Sequence, residues 1–227
     1  EVVTAGVMEI KTGKILAMST YPSFNPNERN ISTFNNYFLE GTIECGSVFK
    51  PFIYADSIEE GKYDHNAYYN SGSYNVYYGN KLVATIKDHN GGQGWGTITY
   101  DQGLYHSSNV AICNLLDQGY VTKDVLTEKL NDLGFFQGDT MDGLTCSSSI
   151  NAYTRKNAGR LEYLTTGFGQ GSTVTPYQLL KAYSVFGNDG KTVQPHIVDK
   201  VVNPETNKVV YQATPKYSKQ IFSTNTI

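Results

Sequence analysis

The chain has 227 residues, 39% of them hydrophobic and 17% charged, with a formal net charge of −3. That length can bury a large single core, and the composition fits a globular protein. The mildly acidic balance gives no reason to invoke nucleic acid, no apolar run approaches the ~20 residues of a membrane span, and no signal-peptide pattern is read in these residues. Strands are expected at residues 4–9 and 14–19, joined by a tight turn at Lys11-Thr12-Gly13 in which Gly13 supplies a positive φ. After an Asn-rich polar stretch, a helix opens at Ser47 and runs through Phe52 and Ala55 to about residue 60. Residues 64–95 hold five Tyr and five Gly with weak alternation, which predicts loops and short strands. Thr99 caps a short helix reaching Tyr105, and a second helix runs from Asn109 to Gln118 and stops at Gly119. Residues 122–133 form an amphipathic helix with Leu126, Leu130 and Leu133 on one face. Residues 175–186 form another, carrying Leu179, Leu180, Tyr183 and Phe186. Strands at 196–203 and 208–212 flank a turn at 204–207. Strands outside and helices between predict an α/β fold, an antiparallel sheet packed against a helical subdomain.

Two short motifs carry chemistry. Ser47-Val48-Phe49-Lys50 puts a hydroxyl and an amine one helical turn apart, so Lys50 can take the Ser47 proton if burial or a neighbouring cation depresses its pKa. Sixty residues on, Ser107-Ser108-Asn109 precedes the apolar run Val110-Ala111-Ile112 and reads as S-x-N opening a helix, where a serine also serves as an N-cap. Residues 167–171 are Gly-rich but lack the Gly-Lys-Ser/Thr ending and the strand-to-helix setting of a phosphate loop, so a turn is expected there.

S-x-x-K followed by an S-D-N-type element and K-T-G is the motif set of penicillin-binding proteins and class A β-lactamases. Residues 7–18 and 21–27 resemble the start of a class B penicillin-binding protein transpeptidase domain. So do Glu44-Cys45-Gly46-Ser47, Gly167-Phe168-Gly169-Gln170-Gly171-Ser172, Thr175-Pro176-Tyr177-Gln178-Leu179 and Pro195-His196-Ile197-Val198. The likeness covers about residues 5–200. It implies the penicillin-binding protein/serine β-lactamase-like fold and a D,D-transpeptidase that cross-links peptidoglycan stem peptides and is acylated by β-lactams. Ser47 would attack the carbonyl between two terminal D-alanines and neutral Lys50 would accept its proton. Ser107 would relay a proton to or from the departing amine, and Asn109 would hold the substrate amide and Lys50. The alternatives are a β-lactamase or β-lactam sensor using the same S-x-x-K chemistry, or a non-catalytic cell-wall scaffold. Lys11-Thr12-Gly13 spells the third motif, yet in this family the catalytic K-T/S-G lies on a later strand, after residues 195–198. The expectation is therefore one transpeptidase domain, residues 1–227, cut at both ends: the C-terminal K-T/S-G strand, the N-terminal membrane anchor and the pedestal are absent. A place on the extracytoplasmic face of the bacterial membrane and a glycan-polymerising membrane partner follow from the same resemblance.

The cysteines depart from that family. Cys45 stands two residues before Ser47, where relatives usually carry proline, and His106 stands immediately before Ser107. Convergence of the two motifs would bring thiolate and imidazole together, with Cys146 as a third ligand, and predicts a structural zinc beside the active site. Cys113 reads as a small buried hydrophobe, and His65 and His89 as polar loop residues.

Overall fold

The computed structural model describes residues 2–31 and 33–227 of the chain. Strands β1 (Val3–Met8) and β2 (Ile15–Tyr21) form an antiparallel hairpin in which Val3 faces Tyr21 and Val7 faces Ala17. Its turn is the Lys11-Thr12-Gly13 segment, closed by the Gly13 N–H on the Glu9 carbonyl at 2.9 Å. Gly13 has φ +81°, and a Cβ there would lie 2.3 Å from the Gln194 carbonyl oxygen, so only glycine fits. This K-T-G is a turn, as its place in the sequence suggests. The single-turn helix α1 (Tyr37–Glu40), capped by the Asn36 side chain, packs on the hairpin.

The helix expected from Ser47 comes in two parts. Gly46–Phe49 is a 3-10 turn, and the α-helix proper, α2 (Lys50–Glu59), begins at Lys50 with Pro51 in its first turn. Proline has no N–H to return to the preceding turn, so the α-helical ladder can start only around it. In 3-10 geometry residues i and i+3 eclipse, which sets Ser47 directly against Lys50. Phe52, Ile53, Tyr54, Ala55, Asp56 and Ser57 are all buried, so α2 is a central helix covered on nearly every side.

Residues 64–99 hold four short strands, β3 (Tyr68–Asn70), β4 (Ser73–Tyr78), β5 (Lys81–Lys87) and β6 (Thr97–Thr99). β4 and β5 form a hairpin about Gly79, and β3 pairs antiparallel with β6. Three capped helices follow: α3 (Tyr100–Tyr105) with a Thr99/Gln102 capping box, α4 (Asn109–Asp117) capped by Ser108, and α5 (Lys123–Asp132) capped by Thr122. The hairpin β7 (Asp139–Met141) and β8 (Leu144–Cys146) leads to α6 (Arg160–Gly167) and α7 (Pro176–Tyr183). The last hairpin is β9 (Lys200–Val202) with β10 (Val209–Gln212). The strand expected from His196 begins only at Lys200, and His196 makes an isolated bridge to Lys14.

The larger core gathers α2, α4, α5 and α6 around Phe49, Phe52 and Phe135, whose ring centroids lie 5.0 to 5.9 Å apart. Burying one such side chain contributes roughly 2–3 kcal/mol. A smaller cluster of Phe38, Leu39, Met141, Cys146 and Tyr177 joins α1, the β7–β8 hairpin and α7. Among the described residues, no helix is long and apolar enough to cross a membrane.

Candidate active site

Lys50 is the first α-helical residue of α2, and its side chain is 1% exposed while Ser47, in the preceding turn, is exposed. Its Nζ donates to Ser47 Oγ at 3.0 Å, to Ser107 Oγ at 3.0 Å and to the Ser107 carbonyl oxygen. The two sequence motifs therefore meet at one amine. Desolvation pushes the Lys50 pKa down to about 8, while the negative charge of Asp88 opposes the shift. A carbonyl can only accept, so the Ser107 C=O holds one N–H of Lys50 in either charge state. Loss of a proton then leaves the lone pair facing the two hydroxyls, which is the arrangement a proton acceptor needs.

Ser107 reaches this position through an unusual backbone. It has φ +54°, a left-handed conformation that costs a non-glycine residue roughly 1 kcal/mol. The Ser107 N–H donates to the Leu104 carbonyl at 2.9 Å and the Ser108 N–H to the Gly103 carbonyl at 2.8 Å. These are the paired bonds of a Schellman ending to α3, and Ser107 occupies the position that glycine usually takes. The left-handed turn aims both its carbonyl and its hydroxyl at Lys50.

Ser108 caps α4, its hydroxyl accepting the Ala111 N–H at 3.0 Å and donating to Asp88 Oδ1 at 2.9 Å. Asn109 differs from expectation. Its amide donates to the Lys87 carbonyl at 2.9 Å, and Lys50 is instead held by the two serines. Asn109 thus ties the start of α4 to the end of β5. Sequence reasoning also missed Asp88, a lone acid in a Gly- and Asn-rich stretch that reads as an ordinary turn former.

The Gly-rich turn at 167–171 braces the nucleophile's approach. Gly169 C=O accepts the Gly46 N–H at 3.0 Å, and the Gly171 N–H donates to Glu44 Oε1 at 3.0 Å. Gly169 has φ +75°, and a Cβ would lie 2.2 Å from the Gly46 carbonyl oxygen.

Cys45, His106 and Cys146 are not brought together, which corrects the zinc expectation. Cys146 is buried on β8 in the smaller cluster, Cys45 packs against the larger one, and the exposed His106 ring stacks on Trp95 with centroids 4.4 Å apart. Among the described residues, no three His, Cys, Asp or Glu side chains are grouped as metal ligands. Burial pushes the Cys45 thiol up to about 12 and that of Cys146 to about 11. Cys113 is fully buried on α4, as its apolar neighbours predict.

A family model described as the penicillin binding protein transpeptidase domain matches residues 3–227. The chain belongs to this family. It is 31% identical over 228 residues to stage V sporulation protein D of Bacillus subtilis (strain 168), covering 98% of this chain and 34% of that protein. It is 25% identical over 213 residues to the peptidoglycan D,D-transpeptidase FtsI of Escherichia coli (strain K12), covering 92% of this chain and 34% of that one. Penicillin binding protein 2X from Streptococcus thermophilus superposes with a TM-score of 0.80 at 26% identity, over 99% of this chain and 32% of that one. The transpeptidase domain of Burkholderia pseudomallei penicillin-binding protein 3 gives a TM-score of 0.75 at 21% identity, over 99% and 58%. The fold is therefore that of the penicillin-binding protein transpeptidases, as expected, and the chain spans about a third of the length of the curated relatives it matches.

Proposed function

We propose that residues 1–227 form one transpeptidase domain of a serine-type D,D-transpeptidase that cross-links peptidoglycan stem peptides. The observation that carries this is the buried Lys50 amine hydrogen-bonded to the hydroxyls of both Ser47 and Ser107. Ser47 Oγ attacks the carbonyl between two terminal D-alanines as Lys50 accepts its proton. The tetrahedral intermediate collapses, the C–N bond breaks, and the proton passes from Lys50 through Ser107 Oγ to the departing D-alanine amine. An acceptor amine from a neighbouring strand then attacks the ester, returns its proton by the same route and frees Ser47. β-Lactams enter the first half of this cycle because their strained amide mimics the D-alanyl-D-alanine end.

Family membership supports placing the domain on the extracytoplasmic side of the bacterial membrane, held by an anchor and served by a glycan-polymerising membrane partner. Intact-mass spectrometry of the full-length protein with a penicillin tests the chemistry. One adduct per chain, mapped to Ser47 and absent from Ser47→Ala, is expected. Repeated turnover of nitrocefin would assign a β-lactamase instead, and the absence of any adduct would assign a scaffold.

A further inference from the structure

Asp88, just beyond β5, is 2% exposed and makes no ion pair among the described residues. Its carboxylate accepts three hydrogen bonds. Oδ1 takes the Ser108 hydroxyl at 2.9 Å and the Val110 N–H at 3.1 Å, and Oδ2 takes the Gly72 N–H at 2.8 Å. Its own backbone is pinned as well, with Asp88 N–H on the Gly72 carbonyl at 2.9 Å and the Gly92 N–H on its carbonyl at 3.0 Å. A buried carboxylate is a costly way to meet three donors that a neutral acceptor can partly serve. Its location gives the charge a use. Asp88 grips the residue directly after Ser107 and the first turn of α4, where the helix dipole favours an acid.

The Ser107 turn is thus fixed from both sides. The Schellman bonds of α3 hold it from before, and Asp88 holds it from behind through Ser108 and Val110. A left-handed serine keeps its conformation only where its surroundings determine it, and this one must hold to present two acceptors to Lys50.

Resting on the transpeptidase reading above, we propose that Asp88 is a positioning residue for Ser47, Lys50 and Ser107: it clamps the Ser107 turn and supplies the negative charge that opposes the desolvation of Lys50. Burial brings Lys50 down to about 8 against the opposing charge of Asp88, so removing that charge lowers it further. The other groups about Lys50 do not substitute for it. Ser47 and Ser107 are neutral hydroxyls, and burial pushes the Cys113 thiol of α4 far above its usual range, which keeps it uncharged. The Tyr69 phenol of β3 is a buried neutral group near Asp88. His89 and His106 are exposed at the rim, joined by His89 Nε2 to the His106 carbonyl at 3.0 Å. Asp117, at the far end of α4, is committed to Arg160.

The test is the pH dependence of penicillin acylation in the full-length protein, for wild type, Asp88→Asn and Ser108→Ala, with a thermal melt of each. Asp88→Asn keeps the shape and removes the charge. It is expected to acylate about tenfold more slowly at its plateau, with the rising limb moved to lower pH by about half a unit or more. Asp88→Glu is expected to return the limb to its wild-type position. Ser108→Ala breaks the clamp without touching the charge, so it slows acylation and leaves the limb in place. A purely structural role lowers the amount of active protein and moves no limb. Wild-type rate and limb in Asp88→Asn, or an unmoved limb with a lowered amplitude, overturns the proposal. If Asp88→Asn does not fold, Ser108→Ala at the wild-type rate overturns the clamp, and Asp88→Glu with a displaced limb overturns the role of the charge. Failure of the wild type to acylate at any pH refutes the transpeptidase reading itself, a separate outcome.

Discussion

Replacing Lys50 with methionine removes the buried amine and keeps much of its volume, and the effect on stability is expected to change with pH. Burial lowers Lys50 from its ordinary 10.5 to about 8. Between those values the unfolded chain binds more protons than the folded one, so the Lys50 contribution to wild-type stability rises as pH rises. At 1.36 kcal/mol per unit, the gain between pH 7 and pH 9.5 is about 2 kcal/mol, reduced to about 1–2 by the opening of the site towards solvent at Ser47. The variant lacks this gain. Every other titrating group is common to both chains, so the difference isolates Lys50. At pH 7 the variant is relieved of a desolvated cation but leaves the Ser107 carbonyl without its donor, which costs about 1–3 kcal/mol. It therefore starts near wild-type stability and falls behind as pH is raised. Urea denaturation of both proteins at pH 7 and 9.5, compared at a common m-value, reads the change. A stability difference constant to within about 0.5 kcal/mol across that range would refute the claim that the site buries a readily deprotonated lysine. The same titration sets the rising limb of penicillin acylation, and Lys50→Met is expected to lose about 10²–10⁴-fold in its rate.

Ser107→Gly removes the hydroxyl and relieves the left-handed backbone, so stability is expected to rise by about 0.5–1 kcal/mol while acylation falls by about 10² or more; destabilisation in a urea melt would contradict the strain. Gly169→Ala drives a Cβ into the Gly46 backbone, and is expected to cost about 1–3 kcal/mol and to slow acylation by displacing Ser47, with an unchanged melting temperature and rate counting against the brace. Asp56, buried on α2 with neither carboxylate oxygen hydrogen-bonded among the described residues, is raised by desolvation to about 7. The folded state then holds its proton longer than the unfolded chain, so wild-type stability falls as pH rises from 4 to 7, by roughly 2–4 kcal/mol from this group. Asp56→Asn is expected to flatten that slope and to be the more stable protein at pH 8, and parallel curves for the two would disprove it.

How far the sequence reveals this molecule depends on the range of the forces involved. The helix starts at Thr99 and Asn109 were legible because a capping side chain acts within one turn, and Thr99 and Ser108 are each found accepting the N–H expected of a cap. The convergence of Ser47, Lys50 and Ser107 was legible through the family resemblance, since nothing local to either motif brings them together. The β7–β8 hairpin escaped because three-residue strands are too short to alternate. α6 escaped because its sequence ends in Thr165, Thr166 and Gly167, poor helix formers that tertiary packing overrides. The zinc expectation failed for a related reason. Adjacency to a motif fixes where the backbone goes but not which core a side chain joins, and Cys146 turned inward with Met141 and Tyr177. Asp88 carries no local signature, because its partners, Gly72 before β4 and Ser108 and Val110 at the start of α4, lie far from it in the sequence.

The division of labour between an exposed nucleophile and a buried base follows from a single break in the helix. Pro51 lets the α-helix begin only around Lys50, so Gly46, Ser47 and Val48 stay in a 3-10 turn at the surface while Lys50 heads a helix enclosed by the core. A continuous α-helix from Gly46 would hold the two side chains about 60° apart around its axis and would need its own capping at Gly46. The 3-10 turn instead eclipses them, and the Gly46 N–H, which a helix start leaves without a partner, is taken by Gly169. The depressed lysine, its contact with Ser47 and the need for glycine at 169 are thus consequences of one local choice of backbone. A substitution that restores regular α-helix across Pro51 is expected to disturb all three together.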